Sequence, residues 1–128
     1  MGRSSVGQMG EDIACRYLER KGHHIIDRNF RMKFGEIDVV SEKGTTVFIS
    51  EVKTVVGSSM GESDNHRPEE NVSSWKLKKL SRVVQVYLSE KYNLSHTSTM
   101  RWKFLVIAIV LDVEEKTARV RVIEDVLD

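Results

Sequence analysis

The run FLVIAIVL, residues 104–111, constrains this chain more than any other stretch. It falls far short of the roughly 20 apolar residues that a membrane-spanning helix needs, and it has the length of a strand. A strand that is apolar on both faces must be covered on both, as in a sheet sandwiched between helices. Residues 102–111 are therefore read as the centre of such a sheet, and the other elements can be ordered around them.

Residues 4–21 read as a helix. Val6, Met9, Ile13, Ala14, Tyr17 and Leu18 recur at the spacing of one helical face, Ser5 and Gln8 can form a capping box, and Gly22 is a natural stop. Residues 24–34 read as extended, and two strands follow at 36–41 and 46–54, joined through EKG, whose glycine suits a hairpin. Residues 57–71, GSSMGESDNHRPEEN, combine Gly, Ser, clustered acids and the chain's only proline, the composition of a mobile surface loop. Ser73 or Ser74 then caps a helix reaching to about Tyr92, which buries Leu77, Leu80, Val84, Tyr87 and Leu88, with Val72 and Leu77 placed for a hydrophobic staple. A last strand, 117–124, pairs back across DVEEK. Helix, strands, helix, strands is an α/β order, and 128 residues fit one domain.

The hairpin strands look apolar yet carry Asp38, Glu51 and Lys53. Side chains alternate along a strand, so Glu51 and Lys53 share a face, as do Glu36 and Asp38. A two-residue loop of Lys43 and Gly44 pairs Val40 with Val47 and Asp38 with Ile49, leaving Asp38 diagonal to Glu51. A three-residue loop with a bulge reverses that parity. Converging carboxylates repel unless a cation stands between them, and Mg²⁺ (or Mn²⁺) is commonly held by one or two carboxylates with water and phosphate. The backbone carbonyl of Val52 could complete such a site, and Lys53 could orient or help deprotonate an attacking water. Glu-x-Lys alone is a weak signal, since it recurs at 19–21 and 114–116, but only EVK at 51–53 ends an apolar strand preceded by an acid-bearing one. The plain alternative is that Asp38, Glu51 and Lys53 line the wet face of an antiparallel sheet.

Through GEDIACRYLERKG (10–22), RNFR (28–31), GEID (35–38), VFISEVKT (47–54) and NVSSWKLKKL (71–80), the chain resembles the bacterial YraN-like family. That family is of largely uncharacterised function and is similar to archaeal Holliday junction resolvases and to the PD-(D/E)XK restriction-endonuclease-like superfamily. The resemblance implies a restriction-endonuclease-like three-layer core, with a mixed central sheet flanked by helices. It puts Asp38, Glu51 and Lys53 in the positions of the superfamily's catalytic residues and makes Glu11 a further metal-site acid. At about 100° per residue, Glu11 falls at the edge of the apolar helix face near Leu18, where it can reach the sheet's end; the alternative is that it merely favours the helix dipole. Family members often carry Phe-Asp ahead of the central strand and a basic residue after EVKT, whereas here Leu105 follows Phe104 and Val55 follows Thr54.

A net charge of +1 does not by itself mark a nucleic-acid binder, but the charge is unevenly spread. Lys76, Lys78, Lys79 and Arg82 lie along one helix as candidate phosphate contacts, and Arg28, Arg31 and Lys33 form a second such patch; the alternative is a solvated helix face. The N-terminal stretch lacks a signal-peptide apolar region, so a cytoplasmic protein is expected. The lone Cys15 excludes an internal disulfide, and the histidines lack metal-ligand spacing and read as surface residues. The first functional reading is a Mg²⁺-dependent DNA endonuclease of resolvase type. Branched DNA is implied by the resemblance only, and symmetrical junction cutting would need a homodimer. The second, favoured by Leu105, is a nuclease-like fold that binds nucleic acid without cutting it. The third is a protein-interaction module using the acidic stretch 62–70.

Overall fold

A computed structural model of the protein describes residues 5–33, 35–57, 74–92 and 101–124, with the side chains of 74–79 left undescribed. Helix α1 (Ser5–Arg20) leads into strands β1 (His24–Met32), β2 (Gly35–Lys43) and β3 (Thr46–Gly57); helix α2 (Ser74–Tyr92) then precedes β4 (Arg101–Asp112) and β5 (Thr117–Glu124). The strands form one sheet in the order β1-β2-β3-β4-β5. Neighbours are antiparallel except β3 and β4, which run parallel. A parallel neighbour requires a crossover, and α2 lies in it. The result is an α/β fold with a mixed sheet between two helices, consistent with a restriction-endonuclease-like core.

The apolar run of β4 is divided by parity between the two sides. Phe104 and Val106 pack with Ile37, Val40, Val47, Ile49 and the α2 residues Leu80, Val83, Val84, Tyr87 and Leu88. Leu105, Ile107, Ile109 and Leu111 pack with Val39 and the α1 residues Ala14, Cys15 and Leu18. Double coverage explains why the run tolerates no polar residue. The middle of the sheet is nevertheless β3, because β5 adds only one strand beyond β4.

Helix α1 is turned from the face its apolar spacing suggests. Met9 is 49% exposed, while Gly10, Glu11 and Cys15 are buried. The cause is a close approach: a Cβ on Gly10 would stand 1.9 Å from Thr54 Oγ1 and 2.9 Å from Thr54 Cβ. Only glycine lets the helix backbone lie so near β3. At the other end, Gly22 takes a φ of 94°. Its N–H donates to Glu19 C=O (3.0 Å) and the His23 N–H to Leu18 C=O (2.9 Å), the hydrogen bonds of a Schellman cap.

Helix α2 is tied over β1 and β2 by two phenols. Tyr87 Oη donates to Asp27 Oδ2 (2.6 Å) and Tyr92 Oη to Glu42 Oε2 (2.8 Å). His23 is half-buried rather than a surface residue, with Nδ1 2.9 Å from Ser41 Oγ and its ring edge-on to Phe48; His24 is exposed. Of the loop expected over 57–71, Gly57 is the last residue of β3 and the remainder lies outside the described residues, as do the staple and cap expected at Val72 and Ser73. Among the described residues no helix is long and apolar enough to cross a membrane.

Gly10→Ala should lower the free energy of unfolding by about 1–3 kcal/mol, although alanine is intrinsically the better helix former. Urea denaturation checks this against Gln8→Ala on the exposed face of the same helix; equal small effects at both positions would contradict the close approach.

Candidate functional site

Strands β2 and β3 pair from Lys43–Thr46 to Val39–Ser50, and the ladder stops there. One further step in that register sets Asp38 directly opposite Glu51. The turn is Gly44–Thr45 rather than Lys43–Gly44, which slides the register by two residues and turns the expected diagonal pair into a facing one. Asp38 Oδ2 accepts a hydrogen bond of 2.7 Å from the Val52 N–H, so its side chain reaches across the fork. Strict alternation fails at this point. Ile37 and Val40 both enter the cluster under α2, whereas Val39 between them enters the one under α1. In β1, Arg28 pairs with Val39 and Phe30 with Ile37, which leaves Asn29, at a φ of 57°, level with Asp38. Irregularities of this kind re-aim a side chain that regular pleating would send to one face.

The acids here do not line a wet face. Asp38 is 6% exposed, Glu51 7% and Glu11 4%. Burial pushes the Asp38 carboxyl up to about 7, the charge of Glu51 adds to the rise, and Glu11 and Glu36 contribute further against the pull of the Val52 N–H. Lys53 Nζ lies 3.5 Å from Glu51 Oε2. Glu11 sits in the buried face of α1, beside the glycine that presses the helix on β3, and so stands within electrostatic reach of Asp38.

Other predicted residues are placed differently. Arg28 is held beside α1: its Nη2 donates to Asp12 Oδ1 (2.8 Å) and lies 3.8 Å from Glu11 Oε1. Arg31 pairs with Glu36 at 3.1 Å, Lys33 is exposed, and Arg82 is exposed on α2. The side chains of Lys76, Lys78 and Lys79 lie outside the description. Leu105 is 2% exposed in the cluster under α1, while Val106, the register partner of Glu51, belongs to the cluster on the other side. Position 105 therefore faces away from the surface of β4 that adjoins Glu51 and Lys53. Sequence reasoning missed the part of Asn29. Its one available signal was residue type, since asparagine tolerates a positive φ better than most residues.

Among the described residues, no three or more His, Cys, Asp or Glu side chains are gathered as a ready-made metal cluster. What stands at the fork is a pair of facing carboxylates with a third acid nearby. Their donors are hard oxygens, and the repulsion that lifts Asp38 is the kind a divalent cation relieves. A small, strongly hydrated ion such as Mg²⁺ needs no closed protein cage, because it keeps several waters and takes one or two carboxylates.

The profile of the uncharacterised protein family UPF0102 matches residues 10–109. A UPF0102 protein of Alkaliphilus metalliredigens is 36% identical over 112 residues, covering 88% of this chain and 90% of the relative. One from Moorella thermoacetica is 35% identical over 124 residues, covering 97% and 96%. One from Syntrophotalea carbinolica is 42% identical over 89 residues, covering 70% and 68%. The segment matched by the profile contains Glu11, Asp38, Glu51 and Lys53 and ends before β5.

The raised pKa of Asp38 has a definite sign. The folded protein holds the proton to higher pH than the unfolded chain, so this group lowers stability as pH rises from about 4 to about 7. The full effect is about 4 kcal/mol. Urea denaturation in EDTA across that range should show the loss in the wild type and a much flatter profile in Asp38→Asn; parallel profiles would mean that Asp38 is not held protonated.

Proposed function

We propose that this chain, which belongs to the uncharacterised protein family UPF0102, is a metal-dependent nuclease that hydrolyses phosphodiester bonds in DNA, branched DNA included. The family membership agrees with the YraN-like resemblance of its motifs. The observation that carries the proposal is the pair of buried carboxyls, Asp38 and Glu51, in electrostatic contact just past the end of the β2–β3 ladder, with Lys53 beside Glu51. Burying two carboxylates against each other is costly for a fold, and such sites are where function is found.

Asp38 and Glu51 would hold the cation, with Glu11 and the Val52 carbonyl as further oxygen donors. A bound Mg²⁺ or Mn²⁺ would supply Lewis-acid stabilisation of the phosphoryl oxygens and a lowered pKa for an attacking water. The Val52 N–H fixes one oxygen of Asp38, which holds the carboxylate in orientation before any ligand arrives. Lys53 presents a cationic donor at the same point, suited to orient the water or to offset charge growing on the phosphate. Arg28, bound to Asp12 and close to Glu11, steadies the α1 side of the site. The protein would act in the cytoplasm, and cutting a junction symmetrically would call for two copies of the chain.

Labelled four-way-junction and linear DNA, incubated with the protein in Mg²⁺ or Mn²⁺, should be cleaved. Asp38→Asn, Glu51→Gln and Lys53→Met should each reduce the rate by about a hundredfold or more. DNA binding that survives in Asp38→Asn, with no cutting by the wild type in either metal, would replace the nuclease with a non-catalytic nucleic-acid binder.

A further inference from the structure

Two cations of the chain itself stand among the acids of the site. Lys53 Nζ lies 3.5 Å from Glu51 Oε2, and Arg28 Nη2 lies 3.8 Å from Glu11 Oε1. Arg28 reaches Glu11 from β1. It is the register partner of Val39, which packs under α1 and is the chain neighbour of Asp38. The side chain of Glu11 is 5% exposed and that of Arg28 35%, so a buried carboxylate has a guanidinium for its countercharge where water would otherwise serve.

Asp12, the next residue of the helix, fixes that placement. Its Oδ1 accepts a 2.8 Å hydrogen bond from the same Nη2, a charge-assisted bond of the stronger kind. This hydrogen bond pushes the Arg28 pKa up against the effect of burial, and the charges of Asp12 and Glu11 add to the rise. A guanidinium so held is charged at every working pH. Two-ion phosphodiester sites place their cations roughly 3.5–4 Å apart, and the second ion needs an acid beside the first. Glu11 is the helix acid within electrostatic reach of Asp38 and would be that acid. Arg28 already stands against Glu11 and Asp12 with a fixed positive charge, which repels a divalent ion brought to the same place.

We propose that Arg28, held by Asp12 against Glu11, stands in for a second metal ion, so that the site takes a single divalent cation at Asp38 and Glu51. This rests on the metal-dependent nuclease reading of the site. Arg28 is a positioning residue: it acts through Glu11 and sets how much cationic charge the acids accept. A single ion suffices to lower the pKa of a bound water and to polarise a phosphoryl oxygen. The ordinary alternative is an ion pair that only ties β1 to α1, which would change stability and leave the number of bound ions as it was.

Mn²⁺ bound by the full chain without DNA can be counted by calorimetry and from the loss of the free-ion electron paramagnetic resonance signal. Wild type and Arg28→Lys should each bind one ion, and Asp38→Asn should bind it about tenfold more weakly or worse. Arg28→Met and Arg28→Gln should each bind two, and the second should be lost again in Glu11→Gln/Arg28→Met. Urea denaturation of the same variants reports the structural share of the ion pair separately. Two ions in the wild type, or a single ion of unchanged affinity in both Arg28→Met and Arg28→Gln, would overturn the stand-in and leave the nuclease reading in place. A wild type that binds no ion through Asp38 would overturn both.

Discussion

The hydrogen bond from the Val52 N–H to Asp38 Oδ2 is the interaction around which the site is built. Two antiparallel strands part after Val39–Ser50, and a backbone donor beyond that point would otherwise lack a ladder partner. A carboxylate crossing the fork accepts from that donor. It also brings a second buried carboxyl near Glu51, and burial and repulsion push its ionisation up to about pH 7. The same contact thus completes the sheet's hydrogen bonding and creates an electrostatic tension that a cation or a phosphate ligand could engage.

The surrounding packing keeps that arrangement in place. Gly10 allows α1 to press on β3 at Thr54, and this carries Glu11 toward the fork from one side of the sheet. On the other side, Tyr87 and Tyr92 draw α2 over β1 and β2 by bonding Asp27 and Glu42, and the helix covers an apolar cluster that extends to Phe104 and Val106 of β4. Arg28 links β1 to α1 through Asp12 and Glu11. These contacts use side chains from separate segments of the chain.

Much of the architecture was legible in the chain. The doubly apolar run of β4, the amphipathic helices and the glycine-containing hairpin led to an α/β order with one strand covered on both faces, because apolar periodicity reports burial directly, and the mixed sheet followed from the family resemblance. The convergence of Asp38 and Glu51 was legible in kind but not in detail: a turn at Gly44–Thr45 preserves the parity of a turn at Lys43–Gly44 while sliding the partners by two residues. Helix α1 was the harder case. Met9 fits the apolar stripe yet points outward, because the close approach at Gly10 outweighs one side chain's hydrophobicity. The pairing of Arg28 was not legible, because charge in a sequence carries no record of its partner, and Asp12 lies sixteen positions away.

By itself, then, the sequence determined the order of elements, the need to cover β4 on both faces and the set of acids available to a site, since periodicity, length and residue type are local properties of the chain. Only the tertiary structure decided that Asp38 accepts from the Val52 N–H across the fork and that Leu105 faces the core under α1. Each of these depends on strand register and on a break in alternation at Asn29 and Asp38. Register is set by many weak contacts between segments distant in sequence, and a single slipped residue reverses the face of every side chain beyond it.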